Sequence, residues 1–230
     1  MQLVRKALVI LAALALLSVA LPALAMDKFE AELKVEEARI SFLKFMQSPD
    51  ANTAKWLLKR CQAVALFPGM VKAGFVVGGK YGTGVILKRQ ADGSWSAPAF
   101  FIIGGASIGF QIGAESMDLF MVIMTNKGLQ AVLKNQAKFG VDASVAAGPV
   151  GRNAEAAIAG LSTKSDLYSY SRAKGAFAGA TLSGAGIEFD KDTAKAYYGK
   201  AVTAQSIFAG KVKAPANAQK LMQELTKYGK

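Results

Sequence analysis

The first two predicted elements of the chain are helices. Within residues 27–47, apolar side chains recur three, four and seven positions apart, and charged residues fill most positions between them. This spacing is typical of one face of an amphipathic helix. The apolar face consists of Phe29, Leu33, Ile40, Leu43 and Met46. Residues 48–50 (Ser-Pro-Asp) offer a break and a cap, so residues 51–61 are predicted to form a second helix.

From residue 63 the pattern changes to apolar runs rich in Val, Ile, Phe and Gly, separated by turn signals such as Pro68-Gly69 and Asp92-Gly93. Such runs predict successive β-strands, and glycines inside them favour a curled sheet over a flat one. We expect a helix at 126–138, strands at 139–152 and 167–189, and helical or turn-rich segments at 191–209 and 216–228. The prediction is one α+β domain, in which a curled, barrel-like antiparallel β-sheet body is flanked by helices, two of them N-terminal.

The segment 1–25 has the features of a targeting signal. Arg5 and Lys6 precede an unbroken apolar run over residues 7–21, and the small residues Ala23 and Ala25 follow at the spacing of a signal-peptidase site. The run is shorter than the ~20 residues that a membrane-spanning helix needs. We therefore expect a cleaved signal peptide, a single domain over 26–230, and a periplasmic, secreted or peripherally membrane-attached protein. An uncleaved N-terminal anchor is the alternative.

The composition excludes several chemistries. The chain has no His and one Cys, so a Ser-His-Asp or Cys-His nucleophile, a His-ligated metal, an internal disulfide and a CxxC redox pair are all impossible. In an oxidising compartment the lone Cys61 must be buried or pair with another chain. We expect burial, because it lies in an apolar stretch.

The charge of the chain is strongly positive, at +12. Residues 126–230 hold 15 cations and 7 anions, against 11 and 9 in residues 26–125. A solvated surface is one interpretation, and a basic face for phosphate-bearing partners is the other. Export makes nucleic acid an unexpected partner and leaves anionic lipid head groups as the natural counter-charge.

No motif in the chain predicts catalysis. The glycine-rich stretch 78–84 lacks the spacing of a phosphate-binding loop and is better explained by a hairpin. The carboxylates are scattered along the chain without forming an evident acid/base pair. We expect no catalytic residues, no metal ligands and no cofactor, although an enzyme acting on a lipid or glycan stays open as a third hypothesis.

An ordered series of sequence blocks resembles the SYLF lipid-binding domain family from about residue 51 to the C-terminus. Each block alone is unspecific, and their order carries the resemblance. The blocks are Phe67-Pro68-Gly69, Lys72-Ala73-Gly74-Phe75, Tyr81-Gly82-Thr83-Gly84, Trp95 to Phe100 (WSAPAF), Gly109 to Gly113 (GFQIG), Ala146 to Arg152 (AAGPVGR) and Tyr168 to Gly179 (YSYSRAKGAFAG).

The resemblance implies a curled antiparallel sheet with flanking helices. Eukaryotic relatives bind phosphoinositide-containing membranes and some bind actin, neither of which is expected in a bacterial periplasm. The basic residues in or beside the matching blocks are the candidate lipid-binding residues: Lys72, Lys80, Arg152, Arg172 and Lys174. Each could instead be a buried structural partner. In some relatives an N-terminal amphipathic segment enters the membrane, but the acidic polar face of helix 27–47 departs from the basic pattern that insertion favours.

The sequence thus predicts an exported, non-enzymatic module that binds anionic phospholipid membrane surfaces through a basic patch. The alternative is a structural or protein-interaction module of the cell envelope, with an envelope protein as partner and no lipid preference.

Overall fold

In the computed structural model the described residues are 26–48, 51–134, 137–149, 165–173, 176–180, 182 and 184–230. The signal peptide expected at 1–25 lies outside them. The helices are α1 (Lys28–Met46), α2 (Ala51–Leu58), α3 (Asn126–Leu133), α4 (Lys191–Tyr198), α5 (Ala204–Phe208) and α6 (Ala216–Gly229). The strands are β1 (Ala63–Lys88), β2 (Ala99–Ile123), β3 (Ala137–Lys138), β4 (Val145–Ala147), β5 (Leu167–Ala173), β6 (Ala176–Gly179) and β7 (Gly186–Phe189).

The predicted α+β class and the two N-terminal helices are confirmed. Helix α1 starts with a capping box, in which the Asp27 side chain accepts from the Glu30 amide at 2.8 Å and the Glu30 side chain accepts from the Asp27 amide at 3.1 Å. This exchange satisfies amide donors that a helix start leaves unpaired. The amide of Met26 donates to Thr193 Oγ1 at 3.2 Å, so the start of α1 is also tied to α4.

Helix α1 packs against β1 and α6, but the buried face differs from the predicted one. Phe29, Leu33 and Ile40 are exposed, by 72%, 49% and 41%. The residues that face the core are Ala31, Val35, Ala38, Ser41, Phe42, Phe45 and Met46. The predicted apolar face was right for Met46 and wrong for Phe29, Leu33 and Ile40, because the helix carries two apolar stripes and the stripe with alanines contacts the sheet.

One long hairpin forms most of the sheet. Strands β1 and β2 pair antiparallel from Ala63 opposite Ile123 to Ile86 opposite Ala99. The other edge of β2 pairs with β5 at residues 118–123 and with β7 at residues 101–104. Strand β3 extends the sheet beyond β7, while β6 and β4 lie against β5. The curled sheet is confirmed, and its strand pairs are antiparallel except β4 with β5, which is parallel and makes the sheet mixed.

The curl of the sheet arises inside β1, which turns back so that its two halves meet. A Cβ atom built on Gly84 would overlap the carbonyl oxygen of Leu66, and one on Gly78 would overlap that of Ala73. Glycine at these positions permits a backbone approach that no other residue allows. The pairing of β1 with β2 shifts register beside this bend, between Gly74 and Val76.

The Pro68-Gly69 dipeptide forms a second irregularity in β1 instead of ending a strand. The register shifts between Phe67 and Met70, and Gly69 has a φ of +65°. Its amide leaves the sheet and donates to Asp118 Oδ1 at 3.0 Å. A bulge of this kind strengthens the local twist, so it contributes to the curl.

The sheet is covered on both faces where β1, β2 and β5 run together. Consecutive residues 63–67 and 119–123 are all buried, and their side chains alternate between two apolar clusters. The first cluster joins the sheet to α1, α2, α4 and α6, and the second fills the inner side with residues of α3 and α5. The sheet is therefore the middle layer of the domain.

Glycine at position 84 is expected to be required for the fold-back of β1. Replacing Gly84 with Ala places a Cβ against the backbone of Leu66, which should lower the free energy of unfolding by about 3 kcal/mol in guanidinium denaturation, as overpacking typically does. Gly79→Ala is the matched control, because its Cβ meets no atom within 4 Å and its effect should stay within about 0.5 kcal/mol. Equal stability of the two variants would contradict the close-contact account.

The buried thiol of Cys61 is expected to be unreactive in the folded protein. Its side chain is 3% exposed, it donates to the carbonyl oxygen of Leu58 at 3.2 Å, and burial raises its pKa to about 12. The thiolate is the reactive form. At neutral pH a colorimetric thiol reagent should therefore label the native protein only as fast as local or global unfolding exposes Cys61. Labelling should become complete in concentrated guanidinium chloride, and rapid stoichiometric labelling without denaturant would refute the prediction.

Candidate functional site

Three of the five residues predicted to contact lipid lie in the described part of the chain. Lys72 and Lys80 are on β1 and Arg172 is on β5. Arg152 and Lys174 lie outside the described residues, so their roles stay predictions. The bend of β1 brings Lys72 and Lys80 into each other's electrostatic field. Burial, and secondarily the charge of Lys72, lower the pKa of Lys80.

Acidic residues stand opposite two of these cations in the sheet. The Cα of Lys72 faces that of Glu115, and the Cα of Arg172 faces that of Asp118. Opposite charges on directly paired strand positions attract one another. This end of the sheet therefore carries mixed charge, which weakens the field that it presents to an anion.

A separate surface gathers cations without acidic neighbours. It is a groove of about 530 Å³ between α2 and the C-terminal end of α6, and we call it the basic groove. Its lining residues are Asn52, Lys55, Trp56, Lys59, Arg60, Lys227, Tyr228 and Lys230. Five of the eight are cations and none is acidic. Within the described part of the chain, no carboxylate lies within salt-bridge distance of these five.

Two aromatic rings contact three of the five cations of the basic groove. The guanidinium of Arg60 lies 4.0 Å from the ring centre of Trp56 and donates to the Trp56 carbonyl oxygen at 3.2 Å. The Nζ atoms of Lys55 and Lys227 lie 6.0 and 5.6 Å from the ring centre of Tyr228. Such contacts attract cations through the ring quadrupole while leaving N–H donors free for an anion.

The local fold explains why these residues meet. Positions 55, 56, 59 and 60 follow the spacing of one helical face at the end of α2, and the last turn of α6 packs beside it. Sequence reasoning missed the groove because its two halves are separated by most of the chain. The available signal was the pair of short basic-aromatic runs KWLLKR (residues 55–60) and KYGK (residues 227–230), both without an acidic residue.

The described residues contain neither a metal-binding cluster nor a membrane-spanning helix. Across the described ranges, Cys, Asp and Glu side chains form no group of three or more that could hold a metal ion. The helices among the same residues are too short or too polar to span a bilayer. The basic groove itself offers donors and aromatic surfaces, which suit binding of an anion.

Removing the charge of Lys72 should partly reverse the lowering of the pKa of Lys80. In the variant Lys72→Met, the pKa of Lys80 should rise because the neighbouring positive charge is gone. It should stay below the ordinary value, because burial is the larger cause of its depression. The pKa can be followed by NMR after reductive methylation with ¹³C. Lys88→Met, at the far end of β1, is the control, and no rise in the Lys72 variant beyond that control would contradict the account.

Comparison with known proteins relates the chain to a family of regulators. The Ysc84 family model, described as Las17-binding protein actin regulator, matches residues 104–228. Protein YSC84 of Saccharomyces cerevisiae is 35% identical over 189 residues, covering 80% of this chain and 40% of the yeast protein. SH3 domain-containing protein PJ696.02 of Schizosaccharomyces pombe is 37% identical over 158 residues, covering 68% and 37%.

An animal relative gives a similar result. SH3 domain-containing YSC84-like protein 1 of Mus musculus is 32% identical over 181 residues, covering 78% of this chain and 53% of the mouse protein. The chain thus spans between 37% and 53% of the length of these three relatives. No solved structure matches it. The family model covers more than half of the chain, so the chain belongs to the Ysc84 (SYLF) family, as its ordered motifs predicted.

Proposed function

We propose that the protein is a non-enzymatic module that attaches to anionic phospholipid surfaces through the basic groove. The observation that carries the proposal is a concave surface with five cations, two aromatic rings and no acidic residue in its lining. A Lys or Arg near an anionic bilayer contributes on the order of 1 kcal/mol. Five such residues on one surface supply about 5 kcal/mol, enough for measurable attachment, whereas the same charges dispersed do not.

The aromatic residues of the groove suit the same surface. Trp56 and Tyr228 each present an apolar ring with a polar tip, and rings of this kind favour the level of lipid head groups. The family description and the names of relatives mention Las17 binding or an SH3 domain, and a binding role without catalysis accords with those names. The proposed location is the bacterial envelope, on the strength of the signal-like segment 1–25.

The predicted sheet residues have a secondary place in this proposal. Lys72 and Lys80 carry like charges close enough to affect one another. Arg172 lies on β5, which pairs with the edge of β2 opposite β1. They form a separate candidate contact for head groups, and Glu115 and Asp118, which face Lys72 and Arg172 in the sheet, limit their contribution. Nucleic acid is not a proposed partner.

A second candidate function is the capture of a protein. The family description names Las17 binding, and a relative in Saccharomyces cerevisiae is named LAS seventeen-binding protein 3. Helix α1 of this chain also exposes Phe29, Leu33 and Ile40 on one side. The candidate is an envelope protein held by this module, with no lipid preference.

Charge reversal in the groove should weaken vesicle binding strongly. The wild-type chain should sediment with phosphatidylglycerol-containing vesicles, and less so as salt rises, because screening weakens charge attraction. The double variant Arg60→Glu with Lys227→Glu should bind at least about tenfold more weakly, since each reversal replaces an attraction of about 1 kcal/mol with repulsion. Co-sedimentation at moderate salt measures both, and thermal unfolding confirms that the variant is folded.

The matched control is Lys195→Glu with Lys211→Glu. It changes the net charge equally at two exposed positions outside the groove. It should retain binding within about twofold if the local cluster rather than total charge sets affinity. Equal binding to neutral and anionic vesicles, or equal loss in the two double variants, would remove the groove mechanism. Recovery of one stoichiometric envelope protein without any vesicle binding would favour the second function.

A further inference from the structure

The outward side of α1 carries a row of apolar residues that the domain does not cover. Phe29, Leu33 and Ile40 are exposed, and Leu43 is half-buried. The core-facing residues, such as Val35, lie on the opposite side of the helix, which packs against the sheet. Of the six large apolar side chains that are exposed in the described part of the chain, three lie in this row. A single exposed apolar residue is ordinary, but an aligned row on one helix indicates a docking surface.

The spacing of this row, which we call the outer seam, is typical of a helix that pairs with another helix. Its positions are 29, 33, 36, 40 and 43, separated alternately by four and three residues. This alternation keeps a seam facing a partner helix along its length. The middle position is Glu36, whose carboxylate is bound to Arg39 at 2.6 Å. A polar residue inside such a seam lowers the affinity but specifies how the two helices align.

The charges of α1 favour a second copy of the same helix in the antiparallel direction. Residues 27–37 hold five carboxylates and two lysines, whereas residues 38–47 hold Arg39 and Lys44 and no acid. Two parallel copies would place like charges side by side. Two antiparallel copies place the acidic half of each helix beside the basic half of the other, so the helix is complementary to itself. An interface with two-fold symmetry requires this self-complementarity.

The antiparallel arrangement also aligns the apolar residues. When two copies are centred on the middle of the outer seam, Leu33 of each lies beside Ile40 of the other. Phe29 then lies beside Leu43 of the other copy, and Glu30 lies near its Lys44. Two-fold symmetry makes each of these contacts occur twice. Lys44 is exposed and has no ion-pair partner among the described residues, so its charge is available for such a contact.

We infer that the protein associates with a second copy of itself through antiparallel packing of the outer seams of two α1 helices. The inference does not depend on the proposed lipid binding, because no residue of α1 lines the basic groove. It assigns Phe29, Leu33 and Ile40 to a copy of the chain in place of an envelope protein. One helix face per copy is smaller than a standard interface of about 1,600 Å². We therefore expect weak association, with a dissociation constant in the micromolar range.

Removing apolar residues of the outer seam should weaken this association. Sedimentation velocity over a concentration series should show the wild-type chain changing from monomer to dimer. Leu33→Ser with Ile40→Ser should raise the dissociation constant at least about tenfold, because the interface loses four apolar side chains. The matched control is Val71→Ser with Val141→Ser, which removes two exposed apolar side chains outside α1 and should dimerise like the wild type. Thermal unfolding confirms that both variants are folded.

Exchanging charges tests the orientation of the two helices. Glu30→Lys and Lys44→Glu should each weaken the dimer by about threefold or more, because each makes like charges face one another twice in the antiparallel pair. An equimolar mixture of the two variants should recover the wild-type affinity as a heterodimer, since the facing charges are again opposite. Glu30→Lys also removes the capping carboxylate of α1, but mixing would not reverse the loss of a cap.

Several outcomes overturn the inference and leave the basic groove untouched. A wild-type chain that stays monomeric at millimolar concentration is the first, and equal dimer formation by the seam variant and its control is the second. A mixture of charge variants that associates no more tightly than each variant alone is the third. If the wild-type chain is monomeric and the seam variant loses vesicle binding, the seam contacts membrane instead. If an envelope protein binds the seam of the monomer, the second candidate function is favoured instead.

Discussion

The close contact between the two halves of β1 is the constraint on which the rest of the structure depends. The 26-residue strand would be far longer than the domain if it were straight, at about 3.3 Å per residue. Gly78 and Gly84 let its backbone return on itself at a distance that excludes any Cβ. Because β2 pairs with β1 along nearly its whole length, the bend is imposed on β2 as well. The same two strands therefore line both sides of the inner cluster.

The bend also determines where charged residues lie. Lys72 and Lys80 are eight positions apart and would be separated along a straight strand, yet the charge of one lowers the pKa of the other. The sequence blocks that carry the family resemblance include the glycines at 82 and 84. This part of the resemblance thus reports a backbone requirement, and it does not by itself locate a binding surface.

The sequence could predict most elements because their signals are local. The spacing over 27–47 and the Pro49 break indicated two helices, and the structure places them at Lys28–Met46 and Ala51–Leu58. The helix expected at 126–138 ends at Leu133 instead, because Ala137 pairs with Ile187 in the sheet. The buried face of α1 could not be predicted from the spacing of its own residues. It depends on Ala31 and Ala38, whose small side chains allow the helix to approach the sheet closely.

The candidate site shows the same division between local and long-range information. Cations inside family blocks were visible in the sequence, but their acidic neighbours Glu115 and Asp118 were not, since cross-strand partners come from the fold. The basic groove was not predicted either, because its residues come from two runs that are far apart in the sequence. Each of its two basic runs is short, and they form one cationic surface only because α2 packs beside the end of α6.

The pairing of charges within α1 distinguishes this helix from the basic groove. Glu37 and Glu36 bind Lys34 and Arg39 at 2.6 Å each, so this helix largely neutralises itself. The hydrogen bond from Arg39 also lowers the pKa of Glu36, which keeps that carboxylate ionised. Two of the acids of α1 are thus paired with cations on their own helix. The five cations of the basic groove have no ion-pair partner among the described residues, so their charge remains available to a phosphate group.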